Sequence, residues 1–97
     1  MPTTHRRKED IVKLQQLKYL VTVAECGSIT EAARRLFVSQ PSITASIRDL
    51  EREMGVTVFE RTSKGVIATD EGQTFLGYAR QVLEQAELLE ERYKNNA

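Results

Sequence analysis

Three helix-sized apolar patterns follow one another between Leu14 and Gly55 with almost nothing between them, and this spacing constrains the fold more than any other feature. Leu14, Leu17, Leu20, Val21 and Ala24 recur at intervals of three and four, the period of one helical face, and Gly27 supplies a left-handed stop. A first helix is therefore predicted over 14–26. Ser28 stands three residues before Glu31, the spacing at which each side chain can take the other residue's backbone N–H. A second helix follows over 29–36, burying Ile29, Ala32, Ala33 and Leu36. Phe37 and Val38 leave room only for a tight connection before Ser39, a good N-cap. Pro41 then falls in the first turn, where its missing N–H costs nothing. The third helix carries Ile43, Ile47, Leu50 and Met54 as its buried stripe and ends at Gly55.

The opposite side of that third helix is unusual. At about 100° per residue from Ile43, the outward side of its first two turns holds Gln40, Pro41, Ser42, Thr44, Ala45 and Arg48. These are short, mostly uncharged hydrogen-bonding groups with one arginine behind them. The far end of the same helix, with Asp49, Glu51, Arg52 and Glu53, has the composition of an ordinary solvated face. A contrast of this kind within one helix points to a surface that another molecule must approach closely.

After Gly55 the pattern changes. Val56-Thr57-Val58-Phe59 and Val66-Ile67-Ala68-Thr69 are β-branched runs on either side of the polar stretch Glu60 to Gly65, and they predict a hairpin with Arg61 at its base and Lys64 at its tip. Thr69 caps a last helix over 70–93, with Asp70 and Glu71 suited to its N-terminal dipole. Phe75, Ala79, Val82, Ala86, Leu89 and Tyr93 alternate at spacings of four and three along it, and Leu76 and Leu83 widen the stripe. A helix this long cannot bury such a stripe wholly against the 55 residues of 14–68. Those six residues are expected to pair with a second copy of the chain.

Composition narrows the classes of function. The 97 residues suit one small domain with an extension, divided here into a polar N-terminal arm (1–13), a compact domain (14–68) and a pairing helix with its tail (69–97). Fourteen basic residues balance fourteen acidic ones, so bulk charge nominates no partner. The first fifty residues nevertheless hold eight basic and five acidic residues, and the remainder six and nine. Cys26 is the single cysteine, which excludes an intramolecular disulfide framework and a multi-cysteine metal site; it reads as a small buried thiol. The one histidine, His5, lies in the arm with Arg6, Arg7 and Lys8, a run read as solvated. No Cys-His pair, Gly-rich phosphate loop or paired acids suggest an enzyme or a cofactor, and Glu84, Glu87, Glu90 and Glu91 read as a solvated helix face. Neither a leader peptide nor a membrane span is evident, so a soluble, cytoplasmic chain is expected.

A helix, a tight turn and a second helix with a polar, short-chained N-terminal face form a helix-turn-helix, whose second helix enters the major groove of DNA. Groove entry needs short side chains where the backbone comes close, and Gln or Arg where base edges are read. The hairpin would be a wing placing Arg61 and Lys64 on phosphates. The rival reading is a helical protein-interaction dimer whose long helix is the working surface, which the neutral charge favours. The polar face of helix three opposes that rival, because an idle motif has no physical reason to stay clear of bulky groups.

The residues also resemble a family. Leu17-Lys18-Tyr19-Leu20, the run Ala24 to Leu36 with its Ala32-Ala33 pair, Val38-Ser39-Gln40-Pro41-Ser42-Ile43-Thr44, Leu50-Glu51 and Phe59-Glu60-Arg61-Thr62 are similar, in order and without gaps over about 14–93, to the DNA-binding domain of LysR-type transcriptional regulators. The resemblance implies a mainly α fold, a winged helix-turn-helix of three helices and a two-stranded wing, followed by a long dimerising linker helix paired antiparallel. It implies base-edge contacts from Gln40, Pro41, Ser42 and Thr44, and phosphate positioning by Ser39, Arg48, Arg61, Thr62 and Lys64. The implied partner is double-stranded DNA carrying an interrupted inverted repeat, bound by a homodimer. A small-molecule effector would act only through a C-terminal domain of the kind family members carry. The sequence departs from the family pattern at Ala45, where many members have Arg, and at Ala68 and Glu71, where Leu and Ala are commoner.

Overall fold

The computed structural model describes residues 12–94, so the arm reading for residues 1–11 and the tail at 95–97 lie outside the described residues. Its elements are α1 (Leu14–Cys26), α2 (Ile29–Leu36), α3 (Gln40–Met54), β1 (Phe59–Thr62), β2 (Gly65–Ala68) and α4 (Asp70–Lys94). Three helices pack around Leu20, Val23, Ile43, Leu50 and Val58, the largest fully buried side chains, and α4 closes the core with Leu76 and Ala79. Leu14 and Met54, expected on buried stripes, are half exposed, because each lies at the outer end of its helix beyond the reach of the core.

Local chemistry explains the helix boundaries. Gly27 adopts φ 67°, and its N–H returns to the Val23 carbonyl, ending α1 as expected. Ser28 Oγ accepts the Glu31 N–H at 3.1 Å and starts α2. The reciprocal half of the expected capping box does not form. The Glu31 carboxylate turns instead to the Arg34 guanidinium one turn along, accepting from Nε at 3.2 Å and from Nη2. A charged two-pronged donor outcompetes a single backbone N–H. Ala32 and Ala33 are buried and let α2 approach α1 closely, while Ile29 and Leu36 are only partly covered.

The hairpin is shorter than the sequence suggests. Val56, Thr57 and Val58 join no ladder, and β1 starts at Phe59, with Phe59 opposite Ala68, Arg61 opposite Val66 and Thr62 opposite Gly65. Side chains take the place of a ladder along this segment. Glu51 Oε2 accepts the N–H of Val58 at 2.8 Å and of Phe59 at 3.3 Å, and Glu71 Oε1 accepts that of Thr57 at 3.3 Å. Thr69 donates its hydroxyl to the Thr57 carbonyl at 2.5 Å and its N–H to Val58 O at 2.9 Å. The Thr69 hydroxyl also accepts the Gly72 N–H at 2.8 Å, capping α4 as expected.

The wing is fixed to the α1–α2 turn. Val66 N–H donates to Gly27 O at 3.1 Å, and a Cβ at Gly65, where φ is 139°, would stand 2.2 Å from that same oxygen. Only glycine allows the wing to sit this close.

Candidate nucleic-acid interface

The N-terminal turn of α3 is built by Ser39, whose Oγ accepts the Ser42 N–H at 3.2 Å and lies 2.8 Å from Ser42 Oγ. One hydroxyl proton is held between the two serines, which leaves the other free to donate outward. Gln40, Pro41 and Ser42 are exposed, together with Ala45 and Arg48. Thr44 is half-buried, and its side chain lines a cleft between α3 and the wing that it shares with Gln40, Arg61 and Thr62. The structure thus brings Gln40 and Thr44, two of the four expected base-reading residues, together with the wing arginine around one open channel, while Pro41 and Ser42 lie outside its lining.

Two residues in that channel escaped the sequence reading. Ser28 and Thr30, at the start of α2, line it as well. Their position just before and inside the first turn of α2 was visible, but nothing in the sequence showed that the turn faces α3 and the wing. Glu51 was also missed as more than a motif letter.

Among the expected phosphate residues, Arg48, Arg61 and Lys64 are exposed, and none has an ion pair among the described residues. Arg34 and Arg52, by contrast, are held by Glu31 and Asp49 on their own helices. The Arg34 guanidinium beside Glu31 holds that carboxyl below the usual 4.5, and Arg34 is raised in turn. Thr62 is exposed, and its hydroxyl donates to Gly65 O at 3.2 Å and accepts the Lys64 N–H at 3.1 Å within the hairpin turn.

The pairing stripe of α4 divides in two. Ala79 is 2% exposed and packed in the chain's own core, so it has no surface left for a second copy; Phe75 and Ala86 are half-buried. Val82, Leu89 and Tyr93 remain exposed at 45%, 61% and 67%, and Tyr78, which the stripe omitted, lies on the same flank of the helix. A groove of about 720 Å³ runs between α1 and α4, lined by Leu14, Lys18, Tyr19, Leu36, Leu83 and Ala86 among others, and it is open to solvent along its length. Cys26 is half-buried. No helix among the described residues is long and apolar enough to cross a membrane.

A three-helix core, a wing pinned against it, a cleared N-terminal face on the second helix of the pair and a long helix beyond define a winged helix-turn-helix DNA-binding domain. The family model described as a bacterial regulatory helix-turn-helix protein of the lysR family matches residues 14–73, and the chain belongs to that family. It is 49% identical over 77 residues to the HTH-type transcriptional regulator ClcR of Pseudomonas putida, a match covering 79% of this chain and 26% of ClcR. It is 43% identical over 76 residues to the Hca operon transcriptional activator HcaR of Escherichia coli K12, covering 78% and 26%. The chain spans about a quarter of the length of these relatives. Among solved structures, the CbnR DBD–DNA complex superposes with a TM-score of 0.81 at 41% identity over 88% of this chain and 98% of that one. The BenM DBD/benA site 1 DNA complex gives 0.81 at 36% identity over 89% and 100%.

Proposed function

We propose that the chain binds double-stranded DNA as a homodimer in the bacterial cytoplasm, with α3 in the major groove and the wing on the flanking phosphates. Gln40, Pro41, Ser42 and Thr44 read base edges; Ser39, Arg48, Arg61 and Lys64 fix the domain on the backbone, with Thr62 shaping the turn that presents Lys64. Thr30 joins them from the start of α2. The observation that carries this reading is the α3 face itself, whose exposed N-terminal turn holds Gln40, Pro41 and Ser42 and no bulky or charged group, with Arg48 and Arg61 beside it, neither ion-paired among the described residues. Two copies related by a two-fold axis through α4 would present two such faces, and the matching site is an interrupted inverted repeat. A small-molecule effector acts, on this reading, through a C-terminal domain outside these residues, since the α1–α4 groove is too open to enclose a ligand.

The test is titration of the chain on duplexes selected from a random pool, at several salt concentrations. Gln40→Ala and Thr44→Ala are expected to change preference among site variants by about 1–3 kcal/mol at the affected base pair. Arg61→Ala should weaken all sites alike and reduce the salt slope by about one per protomer. Equal losses on selected and random DNA for the Gln40 and Thr44 variants would refute the base-reading assignment.

A further inference from the structure

We infer that Glu51 is a positioning residue for DNA binding: its carboxylate ties the start of β1 to the recognition helix, so that Arg61 meets phosphate in register with α3. This rests on the DNA-binding reading above. Glu51 lies in the C-terminal half of α3, half-buried, and lines the cleft that also holds Arg48 and Arg61. A carboxylate there opposes an approaching phosphate backbone, so electrostatics alone would favour its absence. It forms no ion pair with either arginine among the described residues; one oxygen, Oε2, instead accepts two successive backbone N–H groups, those of Val58 and Phe59.

These are the only side-chain hydrogen bonds from α3 to the wing strand among the described residues. The two strands are anchored differently. β2 is held directly by Val66 N–H on Gly27 O. β1, which carries Arg61, has the Glu51 carboxylate on its first N–H and the ladder to β2, while Thr69 N–H holds Val58 O just before it and the Phe59 ring packs on the core. Val58 and Phe59 lie three and two residues before Arg61, and in an extended strand a shift at the root moves every later side chain with it. Glu51 therefore sets the angle at which β1 leaves the helix and pairs with neither arginine among the described residues.

Two substitutions separate position from charge. Glu51→Asp keeps the charge but draws the oxygen back by one methylene; Glu51→Gln keeps the reach and an acceptor oxygen but removes the charge. Each is combined with Arg61→Ala, and the dimer is titrated on selected and random duplexes across a salt series, with melting followed in parallel. In the native background Arg61→Ala should flatten the salt slope by about one per protomer. In Glu51→Asp the slope should already be flattened by that amount, and Arg61→Ala should add nothing further. Glu51→Gln should restore the full Arg61 effect. The inference is overturned if Arg61→Ala flattens the slope equally in the native and Glu51→Asp chains, whatever happens to melting, since Glu51 then serves stability alone. It is overturned too if Glu51→Gln merely tightens binding while Glu51→Asp changes nothing, the signature of simple charge repulsion. Absence of any Arg61 effect in the native chain would instead refute the wing assignment on which the inference rests.

Discussion

Gly72 and Gly77 lie five residues apart in α4 and should respond to alanine in opposite directions. Helical glycine is ordinarily replaced by alanine with a gain of about 0.5–1 kcal/mol, because alanine loses less backbone freedom on folding. At Gly77 a Cβ meets nothing within 4 Å, so that gain should appear in full. At Gly72 the same atom would stand 2.1 Å from Val58 O and 2.8 Å from both Val58 C and Cα. Restoring ordinary contact at 3.4 Å requires a movement of about 1.3 Å. Every atom involved is backbone, and Val58 is held by Glu51 on one side and Thr69 on the other, so no flexible side chain can yield. Overpacking of this kind costs about 1–3 kcal/mol, which outweighs the helical gain. Gly72→Ala should therefore lower stability by about 1–2 kcal/mol, a fall of roughly 4–16 °C in Tm for a domain this small, while Gly77→Ala raises it. Differential scanning calorimetry at fixed protein concentration reads both. Equal stabilisation by the two substitutions would show that α4 does not seat on the Val56–Val58 segment as described.

Phe37 is the single described non-glycine residue at positive φ, 58°, and its ring is 93% exposed. Phe37→Asn should thus raise stability to urea by about 0.5–1 kcal/mol, since asparagine tolerates that conformation and little apolar contact is lost; a loss of stability would mean the ring packs on something within the chain. The carboxyl of Glu31 should titrate with a midpoint below 4.5 by NMR and return towards it in Arg34→Ala. Because the folded pKa is the depressed one, this pair contributes above the unfolded value and is lost as pH falls through the folded one, so an unchanged midpoint in Arg34→Ala would contradict the cause assigned. Leu89→Lys, on the exposed flank of α4, should shift the chain towards monomer in sedimentation by burying an unpaired charge at the pairing surface, and an unchanged dimer would place that surface elsewhere.

The helices were legible because their signals are local. Gly27, Ser28, Ser39, Pro41 and Gly55 each act on backbone groups within four residues, so the sequence places α1, α2 and α3 with their observed limits. The hairpin was legible in kind but not in extent. Val56-Thr57-Val58 has strand composition, yet its N–H and C=O groups are satisfied by Glu51, Glu71 and Thr69, residues five to fourteen positions away that no local pattern connects to it. The α4 stripe erred for a related reason. A heptad pattern says which residues share a face, not which part of that face the chain itself covers, and Leu76 and Ala79 are claimed by the core before any partner arrives.

Charge shows how far a site can be read from composition. The chain is neutral overall, which speaks against a polyanionic partner, but neutrality averages two separated regions. Residues 12–69 carry eight basic and six acidic groups, whereas α4 carries three and six. Within the first region two ion pairs leave the excess of two unchanged but reduce the free cations: Arg34 and Arg52 are tied to Glu31 and Asp49. Arg48, Arg61 and Lys64 then stand on the α3 and wing side, with the Glu51 carboxylate that shares a cleft with two of them engaged by backbone N–H groups. A field built from so few cations falls away within a Debye length of about 8–10 Å at ordinary salt, so it cannot hold DNA at a distance. On the proposed reading it would act only once α3 is in the groove, and the acidic end of α4 would disfavour approach in the opposite orientation. On the proposed reading, low net charge would thus trade non-specific affinity for dependence on the fit of α3, so that binding would turn on the side chains of its first turn and on the angle of the wing beside them.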